Sequence, residues 1–216
     1  MAHTNQEIAR GSAVFKYGFS SPAQLHDWMQ ERADIPGVGL VGRSNVGKSS
    51  LINALFGKNT ARVSKTPGRT RQINTFEFKF SDDTGPFYLF DLPGYGHAEV
   101  SKQMTKNWEM LMSVFFDLAG EKTLMLNVQD ARHPNQKADI QFHDFLSPFD
   151  FTTTLVFNKL DKLKKQKDRN QLKKQVPGLL EEYHWVKDIH YISAESGQGI
   201  DALESSLISF LLEHRA

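Results

Sequence analysis

The chain has 216 residues, 39% of them apolar, with 26 Lys and Arg against 25 Asp and Glu and a net charge of +1. That length fits one α/β domain with a sizeable core, and the near balance of charge means that any RNA contact must come from a local patch. The lack of cysteine excludes disulfides and thiol catalysis, and the polar start and absence of any long apolar run argue against a signal peptide or membrane span, so a soluble cytoplasmic protein is expected.

Residues 1 to 36 precede the first expected core strand and read as an N-terminal extension to a domain of residues 37 to 216. In that extension Ser21-Pro22 opens a helix with Leu25, Trp28 and Met29 on one face, and Pro36-Gly37 ends the lead-in. No chemistry is visible there. Val38 to Val41 reads as a short buried strand and Ser50 to Phe56 as a helix. Gly57 to Arg71 is polar, basic and without periodicity, and reads as a loop. From Ile73 to Phe80 the pattern alternates, with Phe76, Phe78 and Phe80 on one face and Glu77 and Lys79 on the other, which predicts a half-buried strand. The turn residues Asp82-Asp83-Thr84-Gly85 return the chain, so Phe87 to Phe90 is its antiparallel partner.

Val100, Met104, Trp108, Leu111, Met112 and Phe115 follow helical spacing and read as a core-packing stripe. Leu124 to Val128 is a strand, Asn135 to Leu146 a helix with Ile140, Phe142 and Phe145 apolar, and Thr152 to Phe157 another strand. A charged helical region from Lys162 to Lys174, a short strand from Ile189 to Ile192, and a helix carrying Ile200, Leu203, Leu207, Phe210 and Leu211 complete the chain. Strands alternating with helices predict a three-layer α/β fold: a mostly parallel six-stranded sheet with one antiparallel hairpin at its edge and helices on both faces. Ligands of such folds bind at the carboxyl ends of the strands, where every motif below falls.

Gly42-Arg43-Ser44-Asn45-Val46-Gly47-Lys48-Ser49 fits G-x-x-x-x-G-K-[ST], the phosphate-binding P-loop. Its glycines let the backbone turn its N–H groups onto phosphate oxygens, Lys48 reaches the β- and γ-phosphates, and the Ser49 hydroxyl binds Mg²⁺. Asp91-Leu92-Pro93-Gly94 follows the hairpin; its carboxylate can hold Mg²⁺ through water, and the Gly94 N–H can contact a γ-phosphate. Asn158-Lys159-Leu160-Asp161 follows the next-to-last strand. Asp161 offers two acceptor oxygens that match the N1–H and exocyclic amine of guanine, and adenine has neither donor. After Ile192, the Ser193-Ala194-Glu195 segment can present a backbone N–H to the guanine carbonyl.

In this order and spacing the motifs resemble the signature of Ras-like P-loop GTPases of the translation-factor class. With Ser64-Lys65-Thr66-Pro67-Gly68-Arg69-Thr70-Arg71-Gln72-Ile73-Asn74 and Asp91-Leu92-Pro93-Gly94-Tyr95-Gly96, the chain from Phe15 to Phe210 resembles the EngB family of bacterial GTPases. The resemblance makes residues 37 to 216 a GTPase domain. It makes Gly68, Arg69, Thr70, Arg71 and Gln72 the first switch, with Thr70 binding Mg²⁺ in the GTP state, and Asp91 to Gly96 the start of the second. His97 stands where the family pattern has tyrosine, and Asn158 where it more often has threonine.

The resemblance also implies GTP and GDP as ligands, action on the large (50S) ribosomal subunit through its rRNA and proteins, a monomer, and no DNA or membrane partner. A GTP-dependent binding module in cell division or septation is the alternative. The basic residues Arg62, Lys65, Arg69 and Arg71 could contact RNA phosphates, whereas the lysines of 162 to 174 read as a solvated face. Lys48, Asn45, Thr70 and Gly94 are the candidate catalytic residues. The water-orienting glutamine that often follows D-x-x-G is here Tyr95, which implies slow intrinsic hydrolysis. Asn45 admits two readings, a side chain that stabilises the loop or, as in potassium-activated GTPases, a ligand that helps hold K⁺ against the phosphates.

Overall fold

The structure is a computed structural model that describes residues 6–61, 72–96, 102–149, 152–183 and 186–215. Its strands are β1 (Val14–Phe19), β2 (Gly37–Gly42), β3 (Ile73–Phe78), β4 (Phe87–Asp91), β5 (Thr123–Asp130), β6 (Thr153–Asn158) and β7 (Val186–Tyr191). Its helices are α1 (Pro22–Gln30), α2 (Lys48–Phe56), α3 (Lys102–Ala119), α4 (Lys137–Leu146), α5 (Gln166–Glu182) and α6 (Ile200–Glu213). The sheet runs β1-β3-β4-β2-β5-β6-β7. Pairings from β4 to β7 are parallel, as crossover helices require, and β1-β3 and β3-β4 are antiparallel.

The sheet thus has seven strands and not the expected six. The added strand is β1, which pairs Val14 with Glu77 and Phe19 with Ile73, slipping by a bulge between Phe15 and Tyr17. It also moves the β3–β4 hairpin from the edge into the sheet. An edge strand buries little: Val14, Phe15 and Tyr17 are each more than half exposed, so no clean alternation marks it in the sequence.

Two apolar layers sandwich the central strands. Leu51, Ile52 and Leu55 of α2 and Leu203, Leu207 and Leu211 of α6 pack on one face with Leu40, Phe78 and Phe87. On the other, Leu25 and Met29 of α1, Leu111, Met112 and Phe115 of α3, and Phe142 of α4 pack on Val41, Phe90 and Met125. Leu172 and Leu179 of α5 close over Leu155 and Phe157. β2 and β5 are buried along their whole length; β2 is apolar throughout, whereas β5 also buries Thr123, Asn127, Gln129 and Asp130. β2, β4 and β6 end together, so the loops after them share one edge of the sheet.

Candidate nucleotide site

β2 ends at Gly42, and the chain turns through five residues before α2 begins at Lys48. Both glycines of the turn are dictated by geometry. A Cβ on Gly42 would lie 2.2 Å from the Val128 carbonyl oxygen of β5. Gly47 caps α2 with φ of 102° and lies under Asn158, whose Nδ2 would be 2.4 Å from a Cβ. Asn45 adopts a left-handed φ of 63°, which asparagine tolerates better than most residues. No side chain caps α2, so its first amides face the loop's concavity together with the positive end of the helix.

Lys48 extends back over the loop and donates from Nζ to the Gly42 carbonyl oxygen at 3.1 Å. Burial lowers the pKa of this amine, and the charge of Asp91 opposes that shift. Asp91, the last residue of β4, is 6% exposed, and burial raises its carboxyl to about 6 against the opposing effects of Lys48 and a hydrogen bond from Asn74. A buried carboxylate so short of compensating charge suits a cation. Ser49 stands in the first turn of α2, and no cluster of three His, Cys, Asp or Glu exists among the described residues. One hydroxyl and one carboxylate fit Mg²⁺, which keeps waters and takes phosphate oxygens, better than a caged transition metal. Gly94 sits against this group: a Cβ there would lie 3.1 Å from Lys48 Nζ and 3.2 Å from Ser44 Oγ.

The base-side loops are cross-linked behind the P-loop by Asn158, which is 2% exposed. It donates from Nδ2 to Val46 O at 3.0 Å and accepts at Oδ1 from the amides of Lys159 at 2.7 Å and Ala194 at 3.0 Å. Ser193 N donates to Gln198 O, and Ile192 O accepts from Leu160 N at 3.0 Å. A guanine carbonyl at Ala194 N would therefore share that donor with Asn158. Lys159, at φ of 71°, lies along the P-loop and donates to Asn45 O and, at 2.9 Å, to Asp130 Oδ2. Asp161 accepts from Ser193 Oγ at 2.7 Å and from Lys162 Nζ at 2.9 Å, and chiefly the Lys162 bond keeps its carboxyl below the usual range. It stays ionised, with lone pairs left for two further donors.

The structure thus gathers Gly42 to Ser49, Asp91 to Gly94, Asn158 to Asp161 and Ile192 to Ala194 at one edge. Leu92 and Pro93 are buried, and Leu92 N donates to Leu40 O at 3.1 Å, which ties the segment to β2. Gly68, Arg69, Thr70, Arg71, the basic residues Arg62 and Lys65, and His97 lie outside the described residues. Gln72 is described, and its side-chain oxygen lies against Gly18 of β1. Arg43 directs its side chain away from the loop, donating from Nε to Asp139 at 3.0 Å and from Nη2 to His133 O at 2.7 Å. Tyr95, in the position of a water-orienting glutamine, is 7% exposed with its ring stacked on Phe142, so it does not face the phosphates.

Two carboxylates escaped the sequence reading. Asp130 at the end of β5 orients Lys159; burial would raise its carboxyl, but bonds from Arg132 and Lys159 hold it well below the usual range. Its place at a strand's carboxyl end was the available signal. Asp139 forms a capping box with Gln136 at the start of α4, and an acid at the third helical position is the signal that marks it.

A family model described as a 50S ribosome-binding GTPase matches residues 37–159. An EngB GTP-binding protein of Oceanobacillus iheyensis is 37% identical over 180 residues, covering 82% of this chain and 88% of that protein. One from Thermotoga maritima is 37% identical over 178 residues, covering 82% and 86%. Among solved structures, an EngB GTP-binding protein superposes with a TM-score of 0.59 at 26% identity, covering 82% of this chain and 99% of that one. Era in complex with MgGDPNP and 16S ribosomal RNA nucleotides gives 0.67 at 24% identity, covering 82% of this chain but 56% of Era, a likeness of fold. The family model starts on β2 and runs through the P-loop and Asp91 to Lys159; with relatives similar over most of both chains, it makes this protein a member of the EngB family of GTP-binding proteins, and a GTPase.

Proposed function

We propose that this GTPase is a slow, Mg²⁺-dependent switch that acts in the cytoplasm, as a monomer, on the assembling large ribosomal subunit. The observation that carries the ribosomal part is the match over residues 37–159 to a family described by binding to the 50S ribosome. The basic run Arg62, Lys65, Arg69 and Arg71 agrees with it, since these cations suit RNA phosphates.

In the mechanism, Lys48 and the P-loop amides hold the β- and γ-phosphates and neutralise charge that builds on the leaving oxygens. Ser49 and Asp91, with Thr70, would hold Mg²⁺, which would neutralise further negative charge on the phosphate oxygens. Asp161 selects guanine. Gly94 donates its N–H to the γ-phosphate, and with Thr70 it loses its partner after hydrolysis, which releases both switches. Because Tyr95 is turned into the core, the side chain that directly follows D-x-x-G does not orient the attacking water. The missing catalytic charge would come from the ribosome or from a K⁺ that Asn45, exposed at the mouth of the loop, would help to hold.

The test is cosedimentation with purified large subunits in the presence of a non-hydrolysable GTP analogue or GDP, with hydrolysis assayed in parallel in KCl and NaCl. Pelleting with the analogue but not GDP is expected, with faster hydrolysis in KCl. No nucleotide-dependent pelleting would shift the function to a non-ribosomal module, and equal rates in the two salts would remove K⁺.

A further inference from the structure

Asp139 has no exposed surface, yet its carboxylate meets three separate parts of the molecule. Oδ1 accepts from the Tyr95 hydroxyl at 2.9 Å and from Arg43 Nε at 3.0 Å. Oδ2 accepts from the Gln136 amide at 2.8 Å. Tyr95 follows the D-x-x-G segment, Arg43 follows the first glycine of the P-loop, and Gln136 caps α4. A helix cap needs only the last of these bonds. Burying a carboxylate against the partly exposed Arg43 as well is poorly explained by stability, because desolvation of the acid offsets much of the attraction.

The surroundings indicate what the extra bonds hold. Tyr95 lies flat on Phe142, with ring centroids 4.2 Å apart and planes at 11°. Its backbone forms a parallel bridge with Arg43, and Ser44 N donates to Tyr95 O at 3.4 Å. The preceding residue, Gly94, is thereby fixed beside Lys48 and Ser44. We propose that Asp139 is a positioning residue that clamps the start of the second switch to the P-loop through Tyr95 and Arg43, and so holds Gly94 ready for a γ-phosphate. The clamp favours the GTP-competent arrangement before nucleotide arrives. A ligand gains from such pre-organisation only if it uses the pre-organised group. GTP offers a γ-phosphate to Gly94 and GDP does not, so the clamp strengthens GTP binding selectively.

This inference rests on the contact between Gly94 and the γ-phosphate, and the experiment separates the two. Dissociation constants for fluorescent GDP and a fluorescent non-hydrolysable GTP analogue are measured with Mg²⁺ on the full chain and on Tyr95→Phe, Asp139→Asn and Gly94→Ala. Tyr95→Phe keeps the ring on Phe142 and removes only the hydroxyl, and its thermal midpoint checks that it folds. The expected result is an analogue affinity ~5–20-fold weaker in Tyr95→Phe, with GDP affinity changed by less than ~2-fold. Asp139→Asn should move the same ratio in the same direction. If Gly94→Ala weakens the analogue selectively while Tyr95→Phe weakens both nucleotides equally, neither, or tightens the analogue, the clamp is wrong. If Gly94→Ala does not discriminate between the nucleotides, the underlying contact is wrong and the clamp falls with it.

Discussion

Asp161 combines an ionised carboxylate with partly occupied oxygens: Ser193 and Lys162 steady it from the protein side and leave room for a base. Replacing it with asparagine keeps one acceptor but turns an amide donor toward the donors of guanine. Loss of two charge-assisted bonds at roughly 1.5–3 kcal/mol each should weaken GDP by ~10²-fold or more. A xanthine nucleotide, with an oxygen in place of the amine, should gain in relative affinity for Asp161→Asn. Competition of GDP and XDP against a fluorescent nucleotide checks this. At this scale the motifs were legible, because each needs fixed residue types at fixed offsets. The role of Arg43 was not, because the P-loop pattern leaves its position free and its partner Asp139 is 96 residues away.

Among the elements, α1 shows how a lead-in becomes part of the core. Leu25 is fully buried and Met29 nearly so, while Trp28 packs on Tyr88 at 4.9 Å and carries the Arg32 guanidinium 4.8 Å above its ring. Leu25→Ala should destabilise the protein by about 2–5 kcal/mol through the cavity it leaves. Urea unfolding measures this, and GDP affinity of the folded variant should stay within about twofold of the parent, since Leu25 packs in the apolar layer with Phe115 and Met125 rather than in the P-loop. The helix itself was legible from Ser21-Pro22 and its apolar face. Helix α5 was legible only in part: it continues past Lys174 to Glu182 with Pro177 inside it. Among the described residues, Leu172 and Leu179 are its buried positions, with Tyr183 buried at its C-cap, in a lysine-rich surface too sparse in apolar residues to mark its full length.

For the molecule as a whole, His143 links folding to pH. It is 1% exposed, its Nε2 is 3.3 Å from Asn127 Nδ2, and its ring meets Tyr183 edge-on at 4.1 Å. Burial lowers its pKa to about 4, against about 6.5 in an unfolded chain. Between those values the unfolded chain binds a proton that the folded protein refuses, so this group's contribution is complete above about pH 6.5 and is lost as pH falls toward 4. The loss amounts to about 3 kcal/mol. Urea midpoints from pH 7 to 4 should fall, and His143→Gln should flatten that slope. The amino-acid sequence by itself determined the α/β alternation, the phosphate loop and guanine selection, because backbone turns, strand periodicity and short motifs depend on neighbouring residues. Only the tertiary structure decided that β1 completes the sheet, that Tyr95 points inward, and that Asp130 and Asp139 brace the loops, because those outcomes depend on which strands lie side by side and which polar groups must find partners once buried.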